Sequence, residues 1–428
     1  MIGGDFLTQV VEFLHSSRWM FTALNTEYVR EGVLLQHSEF LASLNCESVD
    51  LIEFTTLKQP QKNHPENLQH FIRRVNEFRL TFDLTDSGIV KPVKKVSVKK
   101  QYEIENVIHE VCQEEVTNLI DLGSGLGYLS AYLCDKHGYN VLGLESSEDR
   151  VEKAIERQKK FHPATSGKLT YRKHFVNSDS ARFILDEFPP ESGDLTIFGL
   201  HGCGDLTVTA IKLFFDIERV KNLVFMPCCY HKMSTKSADQ SEFNFFPASN
   251  ELASILSNYE PFLGRPFLRL AGQQSPNKWR EMTAADHSLH GKNMFERALV
   301  DALLIETEDV KRLNNTNFPG DRVTMVDVAN KYKLFDKTCG ETKEWNEAHH
   351  QKFEELREKY PKGEELSENL FCLQTAIQNC CENLVLVDRI KFIEEEGKRR
   401  NLKLKVSVKK LINDKLSPRC LIVTVQKL

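Results

Sequence analysis

The fold of this chain is decided by one segment, Leu119-Ile120-Asp121-Leu122-Gly123-Ser124-Gly125-Leu126-Gly127-Tyr128-Leu129-Ser130, which joins an apolar strand to an amphipathic helix. Every second residue of the turn is glycine, and glycine alone adopts positive φ freely and lets a ligand approach the backbone. The first N–H groups of the following helix are free to bind an electronegative ligand. The segment therefore predicts a ligand-binding turn; a purely structural turn is the less favoured alternative.

The spacing of the glycines distinguishes between two cofactors. Glu145 closes the second predicted strand, 24 residues after Asp121, where an acid binds the ribose hydroxyls of either a dinucleotide or S-adenosylmethionine. Dinucleotide sites place glycines at relative positions 1, 3 and 6, whereas here they stand at 1, 3 and 5. Asp121 would also repel a pyrophosphate and tolerate a cationic methionine group. The pattern is that of class I methyltransferases, so we predict S-adenosylmethionine as cofactor and disfavour a nicotinamide-dependent oxidoreductase.

Further cofactor contacts are predicted at the ends of the next strands. The third strand ends at Val176-Asn177-Ser178-Asp179, where an acidic or amide side chain reaches the exocyclic amine of adenine in this fold. Asp179 is our candidate, with capping of the next helix as its alternative role. The complete predicted set of cofactor contacts is Asp121, Gly123, Ser124, Gly125, Gly127, Glu145, Asp179, Gly199 and His201.

Strands and helices alternate after residue 117, which is typical of a parallel sheet with crossover helices. The predicted strands are 118–122, 140–144, 169–176, 194–200, 221–226, 402–408 and 419–426. The last two are rich in valine and isoleucine, and Asn413-Asp414-Lys415 separates them as a turn, so we expect a closing antiparallel pair. The predicted fold is α/β, a Rossmann-like class I methyltransferase with a mostly parallel seven-stranded sheet.

The domain boundaries follow from where this alternation begins and stops. We predict a helical N-terminal region at 1–98, a methyltransferase domain at 99–233 and 372–428, and a large insertion of helices and loops at 234–371, after the fifth strand. The N-terminal helices either cover the core or bind a partner. The lysine-rich stretch 91–100 either contacts phosphates or forms a solvated linker.

Histidines and cysteines follow the fourth and fifth strands. His201 and Cys203 end the fourth, and Cys228, Cys229 and His231 end the fifth. Because the carboxyl ends of neighbouring parallel strands face one crevice, these side chains should lie close together. Three interpretations stay open: proton removal from the acceptor, tight packing, or a zinc site.

Zinc is disfavoured because adjacent cysteines chelate one tetrahedral ion poorly and no Cys-x-x-Cys pair occurs, so no metal ligand is assigned. The candidate catalytic residues are His201, His231 and Cys229. The fourth strand lacks an Asn/Asp-Pro-Pro-Tyr segment, which disfavours adenine N-methylation by that route.

Composition limits the cellular setting. A net charge of −5 and a pI near 6.3 give no global basic field for nucleic acid. Eleven cysteines without paired spacing indicate reduced thiols, and neither a secretory signal nor a run of 18 apolar residues is evident. We therefore expect no membrane segment and a cytoplasmic or nuclear location.

The segments 120–130, Gly199 to Leu206 and Cys228 to Met233 resemble the methyltransferase-like protein 25 family. This resemblance extends along roughly the whole chain, with specific motifs between 99 and 233. It implies a class I methyltransferase fold and an S-adenosylmethionine site but no particular substrate. The His-x-Cys-Gly and Cys-Cys-x-His elements are also similar to a tRNA 2′-O-methyltransferase family, whose zinc-binding modules have no match here.

These observations favour an S-adenosylmethionine-dependent methyltransferase that acts on a macromolecule, either RNA or protein. The alternative function is a non-catalytic binding or scaffold protein that retains the fold, because no single residue is an unambiguous catalyst.

Overall fold

The computed structural model describes residues 5–45, 49–87, 96–113, 116–238, 241–273, 276–314, 323–413, 415–417 and 420–428. The chain forms two compact units. The first, which we call the sheet unit, comprises residues 1–11, 80–273 and 381–428. The second, the helical unit, comprises residues 12–79 and 274–380. Residues 91–95 of the lysine-rich stretch and Asp414 of the predicted turn lie outside the described residues.

The strands, in chain order, are β1 Asp83–Thr85, β2 Asn118–Leu122, β3 Asn140–Glu145, β4 Leu169–Lys173, β5 Leu195–Cys203, β6 Val220–Cys228, β7 Glu308–Arg312, β8 Tyr332–Asp336, β9 Thr342–Lys343, β10 Leu404–Leu411 and β11 Leu421–Lys427. Within the described ranges, eight of them form one sheet in the order β1-β10-β11-β6-β5-β2-β3-β4. Strands β2 to β6 pair in parallel, while β11 is antiparallel to both β6 and β10.

The helices are α1 Phe6–Ser16, α2 Val33–Gln36, α3 Ser38–Ala42, α4 Leu51–Phe54, α5 Glu66–Glu77, α6 Val98–Val111, α7 Tyr128–His137, α8 Glu148–Phe161, α9 Ser180–Glu187, α10 Leu206–Asp216, α11 Asn250–Leu256, α12 Arg265–Leu270, α13 Pro276–Arg280, α14 Ala284–Leu303, α15 Met325–Lys331, α16 Glu347–Lys359 and α17 Gly363–Arg399. Apolar residues of α6, α7 and α8 cover one face of the large sheet. Residues of α9, α10 and the end of α17 cover the other. The sheet is therefore buried on both faces, as parallel sheets are.

The Rossmann-like α/β fold predicted from the sequence is confirmed, and all seven predicted strands are present. The closing antiparallel pair, β10 and β11, pairs from Leu404 with Lys427 to Lys410 with Leu421. An eighth strand, β1, adds to the edge in parallel with β10. Its three residues are too few to show an alternating pattern, so the sequence did not reveal it.

The helical unit groups the N-terminal residues with most of the predicted insertion. Buried polar side chains join the two stretches: Trp279 Nε1 donates to the Leu51 carbonyl at 2.8 Å and Asn369 Nδ2 to the Leu41 carbonyl at 3.0 Å. The sequence-based division at 98 and 234 separates these segments, whereas residues 234–273 belong to the sheet unit. Contacts made across so many residues of chain leave no local pattern in the sequence.

The helical unit also contains a three-stranded antiparallel sheet of β7, β8 and β9. The sequence pattern predicts only helices and loops here. Strand β7 reads Glu-Asp-Val-Lys-Arg, so it carries neither apolar alternation nor a run of β-branched residues, the two patterns that indicate a strand.

One helix in the described part of the chain, α17, is long and apolar enough to cross a membrane. Its most apolar window is 89% buried inside the protein. A buried core helix has the same length and composition, so this helix is weak support for a membrane segment.

Candidate functional site

A pocket of about 730 Å³ opens at the carboxyl ends of the parallel strands of the sheet unit. Its walls come from the loop after β2, the end of β3, residues 174–178 after β4, and the end of β5. The strand order reverses between β2 and β5, because β3 lies on one side of β2 and β5 on the other. Open α/β sheets bind their ligands at such a switch point, and the volume suits a cofactor-sized molecule.

The glycine loop has the backbone conformation that its spacing predicts. Gly123, Gly125 and Gly127 have φ values of 78°, 57° and 71°, which side chains rarely adopt. A side chain at Gly127 would also bring its Cβ to 2.1 Å from the Tyr171 hydroxyl oxygen, which donates to the Gly127 carbonyl at 3.0 Å. Gly123 and Gly125 line the pocket. The alternate spacing therefore reflects three left-handed residues in one turn.

Glu145 connects the second strand to this loop. Its carboxylate accepts the Gly125 N–H at 3.1 Å and the Ser147 N–H at 3.0 Å, while Arg150 lies 3.7 Å from it. Glu145 is buried and lines the pocket, as expected for a residue that binds ribose hydroxyls. The same carboxylate thus orients the glycine loop and faces the ligand space.

Asp121 comes just before the glycine loop, near the end of β2, and lines the pocket. It is buried, and its carboxylate accepts the Ser130 hydroxyl. The pKa of Asp121 is raised to about 7, mainly by burial and in part by the charge of Glu145, against the hydrogen bond from Ser130 and the charge of Lys100. A cationic ligand group would favour the ionised form of this carboxyl.

The segment after β4, where the sequence predicts the adenine contact, lines the pocket in part. Asn177 and Ser178 line the pocket, whereas Asp179 is exposed at the N-cap of α9 and is not among the described residues of the lining. The Asp179 side chain makes no capping hydrogen bond, and its N–H donates to Asn177 Oδ1 at 2.8 Å. The structure therefore places the amide of Asn177, and not the carboxylate of Asp179, in the lining of the pocket.

His201 projects from an irregularity in β5. Three steps along β5, from Gly199 to Gly202, correspond to two steps along β6, so the segment around His201 bulges; bulges re-aim side chains near active sites. His201 lines the pocket and lies 3.3 Å from Glu103, measured from Nε2 to Oε2. Gly199 precedes the bulge and is not part of the lining among the described residues.

Glu103, on α6, was missed by the sequence analysis. It is almost fully buried and also accepts the Ser417 hydroxyl at 2.7 Å. Burial would raise the pKa of Glu103, but hydrogen bonds from His201 and Ser417 and the charges of His201 and Lys99 hold it below its usual value. An ionised buried carboxylate orients the histidine ring, as in other acid–histidine pairs. The only sequence signal was a glutamate on the apolar face of a helix.

The cysteines at the ends of β5 and β6 form a cluster. Cys203 pairs with Cys228 in the sheet register, and their sulfurs lie 3.1 Å apart. The hydrogen bond from Cys228 is the main cause that lowers the pKa of Cys203 to about 6, against burial, and the same bond raises the pKa of Cys228. Cys203 also lines the pocket.

His231 lies apart from this arrangement. It belongs to the 3₁₀ turn Tyr230–Lys232 after β6, and its carbonyl accepts a hydrogen bond from Arg265. The pocket lining within the described residues includes Lys232 but neither His231 nor Cys229. The structure thus brings His201 to the pocket and leaves His231 and Cys229 beside it.

The residues present fit an S-adenosylmethionine molecule. The hydroxyl of Ser124 is buried in the pocket wall with no hydrogen-bond partner among the described residues, so it is available to a ligand. The pocket also provides left-handed glycines, two acids suited to a cationic molecule that carries a ribose, and the amide of Asn177.

A family model described as a methyltransferase domain matches residues 94–236. The chain therefore contains a methyltransferase domain, to which these residues belong. The cofactor of this methyltransferase domain is S-adenosylmethionine.

Curated relatives match part of the methyltransferase domain. The chain is 36% identical over 75 residues to the probable methyltransferase-like protein 25 of Mus musculus, and 36% identical over 74 residues to that of Homo sapiens. The matches cover 17% and 16% of this chain but only 13% and 12% of those relatives. Similarity to them therefore concerns one segment and says little about the activity of either whole protein.

Solved structures give only a distant likeness. An RNA methyltransferase from Salinibacter ruber, in complex with S-adenosyl-L-homocysteine, is 17% identical, covers 35% of this chain and 84% of its own, and has a TM-score of 0.23. A score this low adds nothing to the argument for the fold, which rests on the strand order.

Proposed function

We propose that this chain is an S-adenosylmethionine-dependent methyltransferase that acts on RNA. The observation that carries the proposal is that one pocket is lined both by the glycine loop, which we call the donor end, and by His201, backed by Glu103, which we call the acceptor end. A donor site and a candidate base for the acceptor thus share a single cavity, which is what a transferase requires.

S-adenosylmethionine, when bound, supplies an activated methyl group. Asp121 and Glu145 would hold its cationic and ribose parts, and the Ser124 hydroxyl would find its partner there. His201 accepts the proton that an acceptor oxygen or nitrogen loses on methylation, and the Glu103 carboxylate orients the ring and stabilises the resulting positive charge. The buried position of Glu103 strengthens this interaction, since water screens it weakly.

The choice of RNA rests on the rim of the pocket. Lys100, Arg150 and Lys232 line it, although the chain as a whole has a net charge of −5. Phe175 lines the same pocket and is 73% exposed. Cations beside an exposed aromatic ring suit a single-stranded nucleic acid, whose phosphates need positive charge and whose bases stack on aromatic faces.

Labelled methyl donor provides the test. The purified full-length chain is incubated with labelled S-adenosylmethionine and, separately, with total RNA and total protein from cells that lack the chain. We expect label in RNA, and we expect Phe175→Ala to reduce it by roughly tenfold because base–aromatic stacking contributes about 1–3 kcal/mol. Phe161→Ala is the matched control, since Phe161 is 51% exposed and is not among the described residues that line the pocket.

Other outcomes contradict parts of the proposal. Label in protein but not in RNA would contradict RNA as the acceptor and indicate a protein acceptor. RNA affinity that does not fall as salt is raised would argue against phosphate contacts at the rim. Cofactor binding without label in either fraction would favour a non-catalytic binding protein that retains the fold.

A further inference from the structure

Three cysteine thiols converge at the ends of β5 and β6. Cys203 and Cys228 are register partners on these strands, and the sulfurs of Cys203, Cys228 and Cys229 all lie within 4.8 Å of one another. Among the histidine, cysteine and acidic side chains of the described residues, these three cysteines have ligand atoms close enough together to hold a metal ion. The sulfurs are half-buried or buried, so solvent competes weakly for them.

The backbone of Cys229 explains how adjacent cysteines can face one point. Successive side chains of a strand point to opposite faces, which is why adjacent cysteines usually chelate one ion poorly. Cys229 instead follows the end of β6 with φ 43°, in the left-handed region. This reversal of the backbone brings its thiol to the same side as that of Cys228, and the geometric objection drawn from the sequence no longer applies.

A left-handed conformation strains the backbone of Cys229, whereas the neighbouring loop avoids this strain by using glycine at position 204. The left-handed conformation costs a residue with a side chain roughly 1–2 kcal/mol relative to the right-handed one. At Gly204, after Cys203, φ is 56° and an added Cβ would lie 2.6 Å from the Lys232 carbonyl oxygen, so glycine meets a purely backbone requirement there. Residue 229 is strained in the same conformation, but it carries a thiol that glycine would lack.

We propose that Cys203, Cys228 and Cys229 bind a zinc ion. Zinc prefers thiolate ligands at about 2.3 Å in a tetrahedron, which places the sulfurs about 3.8 Å apart. The sulfurs of Cys203 and Cys228 lie 3.1 Å apart and all three sulfurs lie within 4.8 Å of one another, so small side-chain rotations suffice. Three protein ligands leave the fourth position for a water molecule or a substrate group, as in catalytic zinc sites. The site joins the two loops that border the acceptor end of the pocket, and it does not depend on the proposed methyl transfer.

The zinc content of the purified full-length chain tests this directly. We expect one zinc ion per chain by elemental mass spectrometry after growth in zinc-supplemented medium, and trace zinc in Cys203→Ser and Cys229→Gly. Cys229→Gly is the sharper variant, because glycine adopts the left-handed conformation freely and only the thiol is lost. Cys339→Ser is the matched control, since Cys339 is exposed and lies in the helical unit.

Cobalt provides a second readout. Replacement of zinc by Co²⁺ should give a sulfur-to-cobalt charge-transfer band in the wild type and in Cys339→Ser, and should not do so in Cys229→Gly. Zinc absent from the wild type, copper in its place, equal zinc in the Cys229→Gly variant, or a Cys203–Cys228 disulfide in protein purified under reducing conditions would each overturn the proposal. Calorimetry with S-adenosylmethionine reports separately on the cofactor site, so failure of the zinc site and failure of the proposed function are distinguishable.

Discussion

Left-handed backbone conformations occur both in the glycine loop and after β6, but the two regions use different residue types for them. At the donor end, three residues of one turn adopt left-handed conformations and all three are glycine: Gly123, Gly125 and Gly127. Beside the pocket, after the end of β6, residue 229 adopts a left-handed conformation and is a cysteine. The donor end offers the carboxylates of Asp121 and Glu145, whereas the acceptor end offers the His201 imidazole and the Cys203 thiol.

This difference indicates what each end contributes. Where the ligand needs only close approach to the backbone, glycine removes both the strain and the steric bulk. Where the side chain itself is needed, the strain is accepted, as is common at functional sites. The donor end should therefore determine cofactor affinity, and the acceptor end should determine the rate of transfer.

The largest expected effect separates these two roles. His201→Asn should lower the rate of methyl transfer by about 10²- to 10⁴-fold, the usual contribution of a general base, while cofactor affinity changes little. Glu103→Gln should lower the rate less, because the ring remains but loses its charged partner at 3.3 Å. Rates are measured with labelled donor and the acceptor fraction identified above.

His109→Asn is the control for this pair, since His109 is exposed on α6, the helix that carries Glu103. An unchanged rate in His201→Asn would show that the acceptor end supplies no base. A parallel loss of cofactor affinity would instead place His201 at the donor end, as the sequence analysis also allowed.

A smaller effect should appear in the pH dependence of cofactor binding. Burial raises the pKa of Asp121 to about 7, so the carboxyl is mostly protonated below that pH and attracts a cation weakly. Affinity for S-adenosylmethionine should therefore rise with pH, by up to about tenfold per unit below the pKa, and level off above it. Calorimetry in buffers of different ionisation enthalpy should detect proton release on binding near pH 7.

Asp121→Asn serves as the comparison in this experiment. Because an amide does not titrate, the affinity of this variant for S-adenosylmethionine should not change with pH in this range. Affinity that stays constant from acid to alkaline pH in the wild type would contradict the assigned role of Asp121.

The smallest effect concerns the strained cysteine. In metal-free protein, Cys229→Gly should raise the free energy of unfolding by up to about 1 kcal/mol, because the relief of left-handed strain exceeds the cost of losing a half-buried thiol and of the greater chain entropy of glycine. Denaturant unfolding in the presence of a chelator measures this, and zinc should stabilise the wild type but not the variant. A loss of about 2 kcal/mol or more in chelator would mean that Cys229 serves packing instead.

The reverse substitution elsewhere calibrates the strain. Gly138 ends α7 with φ 74° and has no atom within 4 Å of an added Cβ. Gly138→Ala should therefore cost about 1 kcal/mol from the left-handed conformation alone.

Local patterns made the donor end predictable from the sequence. The strand, the alternate glycines and Glu145 lie within about one βαβ unit, and each leaves a periodicity or a spacing that physical rules interpret. The fold followed from the same alternation. Strands β1 and β7 could not be predicted, because β1 is too short and β7 carries too many charged residues to show a strand pattern.

The acceptor end was only partly predictable. Strand order placed His201 and the cysteines at one edge, but the partner of His201 is Glu103, which comes from a helix 98 residues earlier in the chain and from no shared motif. The left-handed conformation of Cys229 and the position of His231 outside the pocket lining of the described residues depend on tertiary packing. A single sequence does not encode such facts in any local pattern.

The central claim, that the glycine loop forms a cofactor site, is tested most directly by calorimetry with S-adenosylmethionine on three full-length proteins. Gly125 lines the pocket with φ 57° and Gly138 does not, although its φ is 74°. Arginine at either position is strained equally, and an added Cβ at Gly125 meets its nearest atom only at 4.0 Å. We predict micromolar binding, about −8 kcal/mol, by the wild type and by Gly138→Arg, and none by Gly125→Arg. Absence of binding by the wild type, or wild-type affinity in Gly125→Arg, would contradict the claim.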